Sequence, residues 1–146
     1  MITREQIIDE AKSWIGTPYN HMKCCKGGGC DCATFLCGVY TAVGAIEMPV
    51  VEYYPEDWHC HNSEPRYLSK LFEYCDRLDG PDARALTGDI MMIKIGWAKT
   101  HNHGAIIVQW PTIIHCLKLR GVVMDDAQSL LRGRPEPILV RWKGFA

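Results

Sequence analysis

Gly29-Cys30-Asp31-Cys32-Ala33-Thr34-Phe35-Leu36 is the stretch that decides the fold. Behind it, Phe35, Leu36, Val39, Tyr40 and Val43 recur at helical spacing, and Gly44 ends the run. Asp31 stands where an N-cap carboxylate would accept the first free backbone amides, so a helix is expected to begin at Cys32. The stretch ahead of it, Lys26-Gly27-Gly28-Gly29, is expected to be a loop without regular structure. A cysteine in the first turn of a helix meets unpaired N–H groups and the positive end of the helix dipole. Both favour thiolate and are expected to lower the pKa of Cys32. The same N–H groups can stabilise an oxyanion formed when sulfur attacks a carbonyl. The position suits a small buried apolar residue equally well, which is the commonest use of a free cysteine.

Working outward, Thr3 and Gln6 form a capping-box pattern ahead of Ile7, Ile8, Ala11, Trp14 and Ile15, which predicts a first helix stopped by Gly16 and Pro18. Glu47 to His61 reads as an irregular excursion. Asn62-Ser63-Glu64-Pro65 opens another helix, with Tyr67, Leu68, Leu71, Phe72 and Cys75 expected on its inner face. After Gly80-Pro81 the pattern changes to short β-branched runs: Asp89–Ile95, Gly104–Gln109, Thr112–Cys116, Gly121–Met124 and Ile138–Trp142. Helices first and strands afterwards predict an α+β domain, with N-terminal helices packed on an antiparallel sheet of about five strands.

The 146 residues fit one domain, expected over 1–146, and are enough for a core without covalent staples. An apolar fraction of 47% and a charged fraction of 23% exclude a disordered chain. A formal net charge of −1 gives no general attraction to phosphate backbones or anionic lipid, so neither nucleic acid nor membrane is an expected partner. No apolar run approaches the length of a membrane span, and the N-terminus lacks the pattern of a signal peptide. Synthesis in a reducing cytoplasm is therefore expected. There, the eight cysteines serve chemistry, metal or packing more readily than disulfides.

A nucleophilic cysteine needs a base and a group to orient that base. His103 begins one predicted strand and His115 lies on the next, so adjacent antiparallel strands bring the two rings within reach on a shared face. In that arrangement His103 is the general base for Cys32. His115 accepts the far ring N–H of His103 and fixes its tautomer. Each histidine taken singly also suits a half-buried polar residue with a local partner.

Trp14-Ile-Gly-Thr-Pro-Tyr19, Gly29-Cys-Asp-Cys32-Ala-Thr-Phe35, Gly88-Asp-Ile, His103-Gly-Ala-Ile and Ile113-Ile-His115 resemble, in order and spacing, the NlpC-type cysteine peptidases. The likeness is greatest to the phage tail-associated cell-wall peptidases, which also show counterparts of Lys26 to Cys32 and of Pro55 to Trp58. The resemblance runs nearly the whole chain. It implies a papain-like α+β core, with Cys32 as nucleophile, His103 as base and His115 as third polar residue. Tyr19 matches a tyrosine beside the nucleophile that helps the oxyanion region, and Asp31 is expected to be a helix cap or a contact for a substrate amine. The implied activity is hydrolysis of peptidoglycan stem peptides, between D-γ-glutamate and a diamino acid, through a thioester and without metal or cofactor. The implied partners are the stem peptide and phage tail proteins, and the implied location is a virion tail or the cell wall. An acyltransferase or amidase using the same Cys-His-His unit, and a non-catalytic tail module, are the alternatives.

Some residues depart from that pattern or compete within it. Cys24, Cys25 and Cys30 crowd the nucleophile, and with His21, His59, Cys60 and His61 they offer zinc-type ligands, though without paired C-x-x-C spacing. Packing, a disulfide or a metal site would each use them. His101 competes with His103 because residues two apart on a strand share a face; the Gly-Ala-Ile that follows favours His103. Asp57 and Lys26 are candidates for substrate charges by location alone.

Overall fold

The computed structural model describes residues 1–80 and 83–145; Pro81, part of the expected boundary between helices and strands, lies outside them. Helix α1 spans Arg4–Ser13 and carries the capping box foreseen from Thr3 and Gln6. A two-stranded antiparallel ribbon, β1 (Cys24–Cys25) and β2 (Gly29–Cys30), replaces the structureless loop expected here, with residues 26–28 as its turn. Helix α2 (Cys32–Ala42) follows directly, then a single turn α3 (Trp58–His61) and α4 (Arg66–Tyr74). The remaining elements are β3 (Cys75–Arg77), β4 (Ile90–Ile93), β5 (His103–Gln109), β6 (Thr112–Leu117), β7 (Gly121–Asp126), α5 (Ala127–Leu131) and β8 (Ile138–Trp142).

The sheet has six strands, ordered β3-β8-β4-β5-β6-β7, rather than about five. The additional strand is β3, which begins at Cys75, so Cys75 belongs to the sheet and not to the inner face of α4. Phe72 also departs from expectation and points outward. Every pairing in the sheet is antiparallel, and the architecture is α+β as predicted.

Strand alternation divides the core. On one face Ile90, Met92, Ile106, Ile114 and Val140 pack against Ile7, Phe35 and Val39 of α1 and α2. On the other, Met91, Ala105, Ile107 and Ile113 pack beneath α5. Gly104 lets α2 and α4 approach the sheet: a Cβ there would lie 2.8 Å from the Tyr67 hydroxyl and 2.9 Å from Leu36 Cδ1. Asp89, wholly buried just ahead of β4, is held by Arg4 at 3.1 Å and Arg141 at 2.7 Å, joining α1 to β8. No helix among the described residues is long and apolar enough to cross a membrane.

Candidate active site

The register of β5 with β6 runs from Gln109↔Thr112 to Ile106↔Ile114 and stops there, so the strands part towards His103 and Leu117. The segment that leads into α2 packs against the end of β6. Cys30 is fully buried there, with its sulfur 3.8 Å from that of Cys116 and its carbonyl oxygen accepting the Cys116 thiol at 3.3 Å. Two residues on, the chain turns into α2. The Asp31 carboxylate accepts the amides of Ala33 at 3.0 Å and Thr34 at 2.9 Å, which caps the helix as the sequence predicts. Its other oxygen accepts the Met22 amide at 2.8 Å and the Tyr54 hydroxyl. With these four donors and 3% exposure, Asp31 acts as a cap; the alternative, a contact for a substrate amine, finds its acceptor sites already in use.

Cys32 is the first residue of α2, and its thiol donates to the Asn102 carbonyl at 3.4 Å. The Gly104 amide and the Tyr67 hydroxyl also favour charge on the sulfur. They do not prevail. Although the residue keeps some exposure, desolvation of the sulfur pushes the thiol up to about 12, and the Asp31 charge adds to the rise. The expectation of a thiol acidified by the helix dipole is therefore overturned. The dipole is worth about 0.3–1 kcal/mol at exposed termini, and here it meets a larger desolvation penalty and a capping carboxylate that answers the same amides.

His103 lies at the head of β5, 5% exposed, and its Nε2 is 2.8 Å from Nδ1 of the fully buried His115. The rings lie within hydrogen-bond reach, as the reading of adjacent strands predicts, and meet nearly edge to face. Burial drives His103 down to about 3, with the His115 charge and then the Arg134 charge opposing protonation further. Burial lowers His115 as well, against the raising influence of Asp125, whose Oδ2 is 3.0 Å from its Nε2. Thiol and imidazole are thus both neutral at rest.

A cleft of about 910 Å³ brings Cys32, His103, Tyr19 and Asp31 together, with Asn102, Trp58 and Trp97 also on its walls. Tyr19 is held by a parallel bridge to Cys30, and burial, then the charge of Glu56, raise its hydroxyl pKa. His101 does not line the cleft, whereas His103 does. Asp57 lines it too but pairs with His61 at 2.8 Å, and Lys26 is committed to Glu10 at 2.6 Å. Cys24 donates to the Thr34 carbonyl at 3.3 Å, and no three His, Cys, Asp or Glu side chains converge as a metal site among the described residues.

Three residues escape the sequence reading. Tyr67, on α4, donates to the Cys32 carbonyl at 2.9 Å across 35 positions of chain. Asn102 contributes its backbone, while its side chain ties both the amide (2.8 Å) and the carbonyl (3.1 Å) of Ile95. Asp125 follows from the register Ile113↔Asp125, two residues from His115 on β6. No motif marks any of them.

No protein-family model and no curated protein matches this sequence. Solved structures do match. The NlpC/p60 domain of the peptidoglycan hydrolase SagA superposes with a TM-score of 0.62 at 19% identity, covering 94% of this chain and 98% of that one. The peptidoglycan hydrolase RipB from Mycobacterium tuberculosis gives 0.60 at 15% identity over 94% of this chain, which spans only 63% of RipB. RipD from the same organism, described as a non-catalytic NlpC/p60 domain protein adapted to peptidoglycan binding, gives 0.60 at 13% identity over 97% of this chain and 98% of that one. The fold is that of the NlpC/p60 domains.

Proposed function

We propose that this chain of NlpC/p60 fold is a cysteine peptidase that cleaves the stem peptides of peptidoglycan, with Cys32 as nucleophile, His103 as general base and His115 as the residue that orients it. The observation that carries the reading is the His103–His115 hydrogen bond, with His103 on the wall of the cleft that Cys32 also lines. A pure binding domain, as RipD is described, has no need of an imidazole pair buried beside a helix-start thiol. Burying such polar groups costs stability unless they are hydrogen-bonded.

The thiol reacts as a neutral group. As the sulfur attacks the amide carbonyl, a C–S bond forms and the S–H proton passes to Nδ1 of His103. Charging sulfur and ring together, as a thiolate and an imidazolium of opposite sign, offsets part of the penalty each carries alone. The oxyanion meets the Cys32 amide, a first-turn donor that the Asp31 cap leaves free, and the Tyr19 hydroxyl. Protonated His103 then gives its proton to the departing amine as the C–N bond breaks. Water, deprotonated by His103, hydrolyses the thioester to a carboxylate and restores the thiol.

The bond between D-γ-glutamate and the diamino acid, and delivery to the wall with a phage tail, belong to this proposal through the motifs of the sequence. Muropeptides digested with the protein and weighed by mass spectrometry test it. A new free amine on the diamino acid, lost in Cys32→Ala, is the expected result. Intact stem peptides, or cleavage that persists in Cys32→Ala, would overturn it.

A further inference from the structure

The hydrogen-bond chain behind His103 does not stop at His115. His115 Nε2 is 3.0 Å from Asp125 Oδ2, and Asp125 is fixed in turn: Oδ1 accepts the Asp126 amide at 2.9 Å, and Arg120 Nη1 lies 3.3 Å from Oδ2. We infer that Asp125 is a positioning residue that sets the tautomers of both histidines and so decides which nitrogen of His103 is free to take a proton. This rests on the proposed peptidase reading for its catalytic consequence, but not for the tautomers themselves.

An ionised carboxylate only accepts hydrogen bonds, so His115 must carry its proton on Nε2. A neutral imidazole holds one N–H, which leaves His115 Nδ1 as an acceptor. His103 Nε2, 2.8 Å away, must then be the donor. The remaining lone pair of His103 falls on Nδ1, which makes no hydrogen bond among the described residues. One carboxylate thus determines, two rings away, where the base is. Without it, His115 is free to hold its proton on Nδ1, oblige His103 Nε2 to accept, and place a proton on His103 Nδ1, where it blocks the base.

The surroundings keep Asp125 charged. Its partial burial works against the charge, but the Asp126 amide, the His115 ring and Arg120 outweigh it and hold the carboxyl below its ordinary range. Arg120 faces Asp125 and His115 from the β6–β7 turn, and Arg134 faces His103 from beyond α5. Neither arginine can accept a proton from the rings, so neither can take over the role of Asp125.

The test is nitrogen-15 NMR of histidine-labelled protein near neutral pH, which reads the two tautomers directly. In the wild-type chain both His103 and His115 are expected as Nε2–H forms. In Asp125→Ala, His115 is expected to gain Nδ1–H character, with kcat falling on the order of 10–100-fold at unchanged KM, and Asp125→Glu is expected to regain most of both. The side chain of Asp125 is 28% exposed, so these changes leave the core intact, and the wild-type spectrum needs no variant. An Nδ1–H form of His115 in the wild-type chain, or identical tautomers in wild type and Asp125→Ala, overturns the inference. Tautomers that shift as expected in a chain without hydrolytic activity uphold it and refute the peptidase reading instead.

Discussion

The thiol of Cys32 hands its hydrogen bond to the Asn102 carbonyl at 3.4 Å, one residue before the histidine proposed to take its proton. The resting site is therefore a protonated thiol parked on backbone beside a neutral ring. In the proposed reaction, proton transfer then belongs to the attack itself rather than to a standing ion pair.

Alkylation should reveal that resting state. Because only thiolate reacts with iodoacetamide and burial holds the Cys32 thiol up to about 12, Cys32 is expected to be modified no faster than exposed Cys25 at about pH 6 to 7. Its rate should climb with pH beyond about 9. Peptide mapping of the labelled chain gives both rates, and a markedly faster Cys32 at mildly acidic pH would mean a thiolate at rest.

Tyr67→Phe removes one hydroxyl and leaves the Cys32 carbonyl without its 2.9 Å donor. A net loss of about 1 kcal/mol is expected, seen as a fall in Tm of roughly 2–6 °C for a chain of this length. The same change removes an influence that lowers the Cys32 thiol, so alkylation should slow further. An unchanged Tm would show that the contact carries no weight.

The Gly88-Asp89 element, carried over as part of a peptidase motif, is structural here. Asp89 is wholly buried between Arg4 and Arg141, and it also accepts the Leu86 amide at 2.8 Å. Asp89→Ala would leave two guanidinium groups without their partner and is expected to cost about 3–5 kcal/mol by thermal or urea unfolding. A loss below about 1 kcal/mol would contradict this.

Stability should fall with acid through the histidines. Burial moves His103 from its ordinary 6.5 down to about 3, so below pH 6.5 the unfolded chain takes up a proton that the folded chain refuses. The contribution is whole above pH 6.5 and drains away as pH drops towards about 3; His115 acts in the same direction. His103→Gln should flatten part of the Tm-against-pH curve in that window, and an identical slope in both proteins would argue against a buried neutral ring.

Much of this site is written locally and therefore legible. Asp31 caps the helix that opens at Cys32 because a carboxylate before an apolar-periodic run has amides within reach. His103 and His115 meet because neighbouring antiparallel strands bring them together. The ionisation of Cys32 is not written locally: it depends on how densely the sheet and α4 enclose the sulfur, which overrides the helix dipole. Tyr67 reaches Cys32 only through the packing that Gly104 permits, and Asp125 reaches His115 only through the register of β6 on β7. The ribbon of Cys24–Cys25 with Gly29–Cys30 escaped a glycine-based reading because its pairing is steadied by tertiary bonds, among them Asn20 N–H to the Cys30 carbonyl at 2.9 Å.

The most direct trial of the nucleophile is to catch the acyl group on it. The chain is mixed briefly with an activated ester of a γ-D-glutamyl dipeptide, quenched in acid and mapped by mass spectrometry. The acyl mass should appear on the peptide containing Cys32, vanish in Cys32→Ala and form far more slowly in His103→Ala. An adduct confined to other cysteines, or equal acylation of Cys32 without His103, would contradict the assignment.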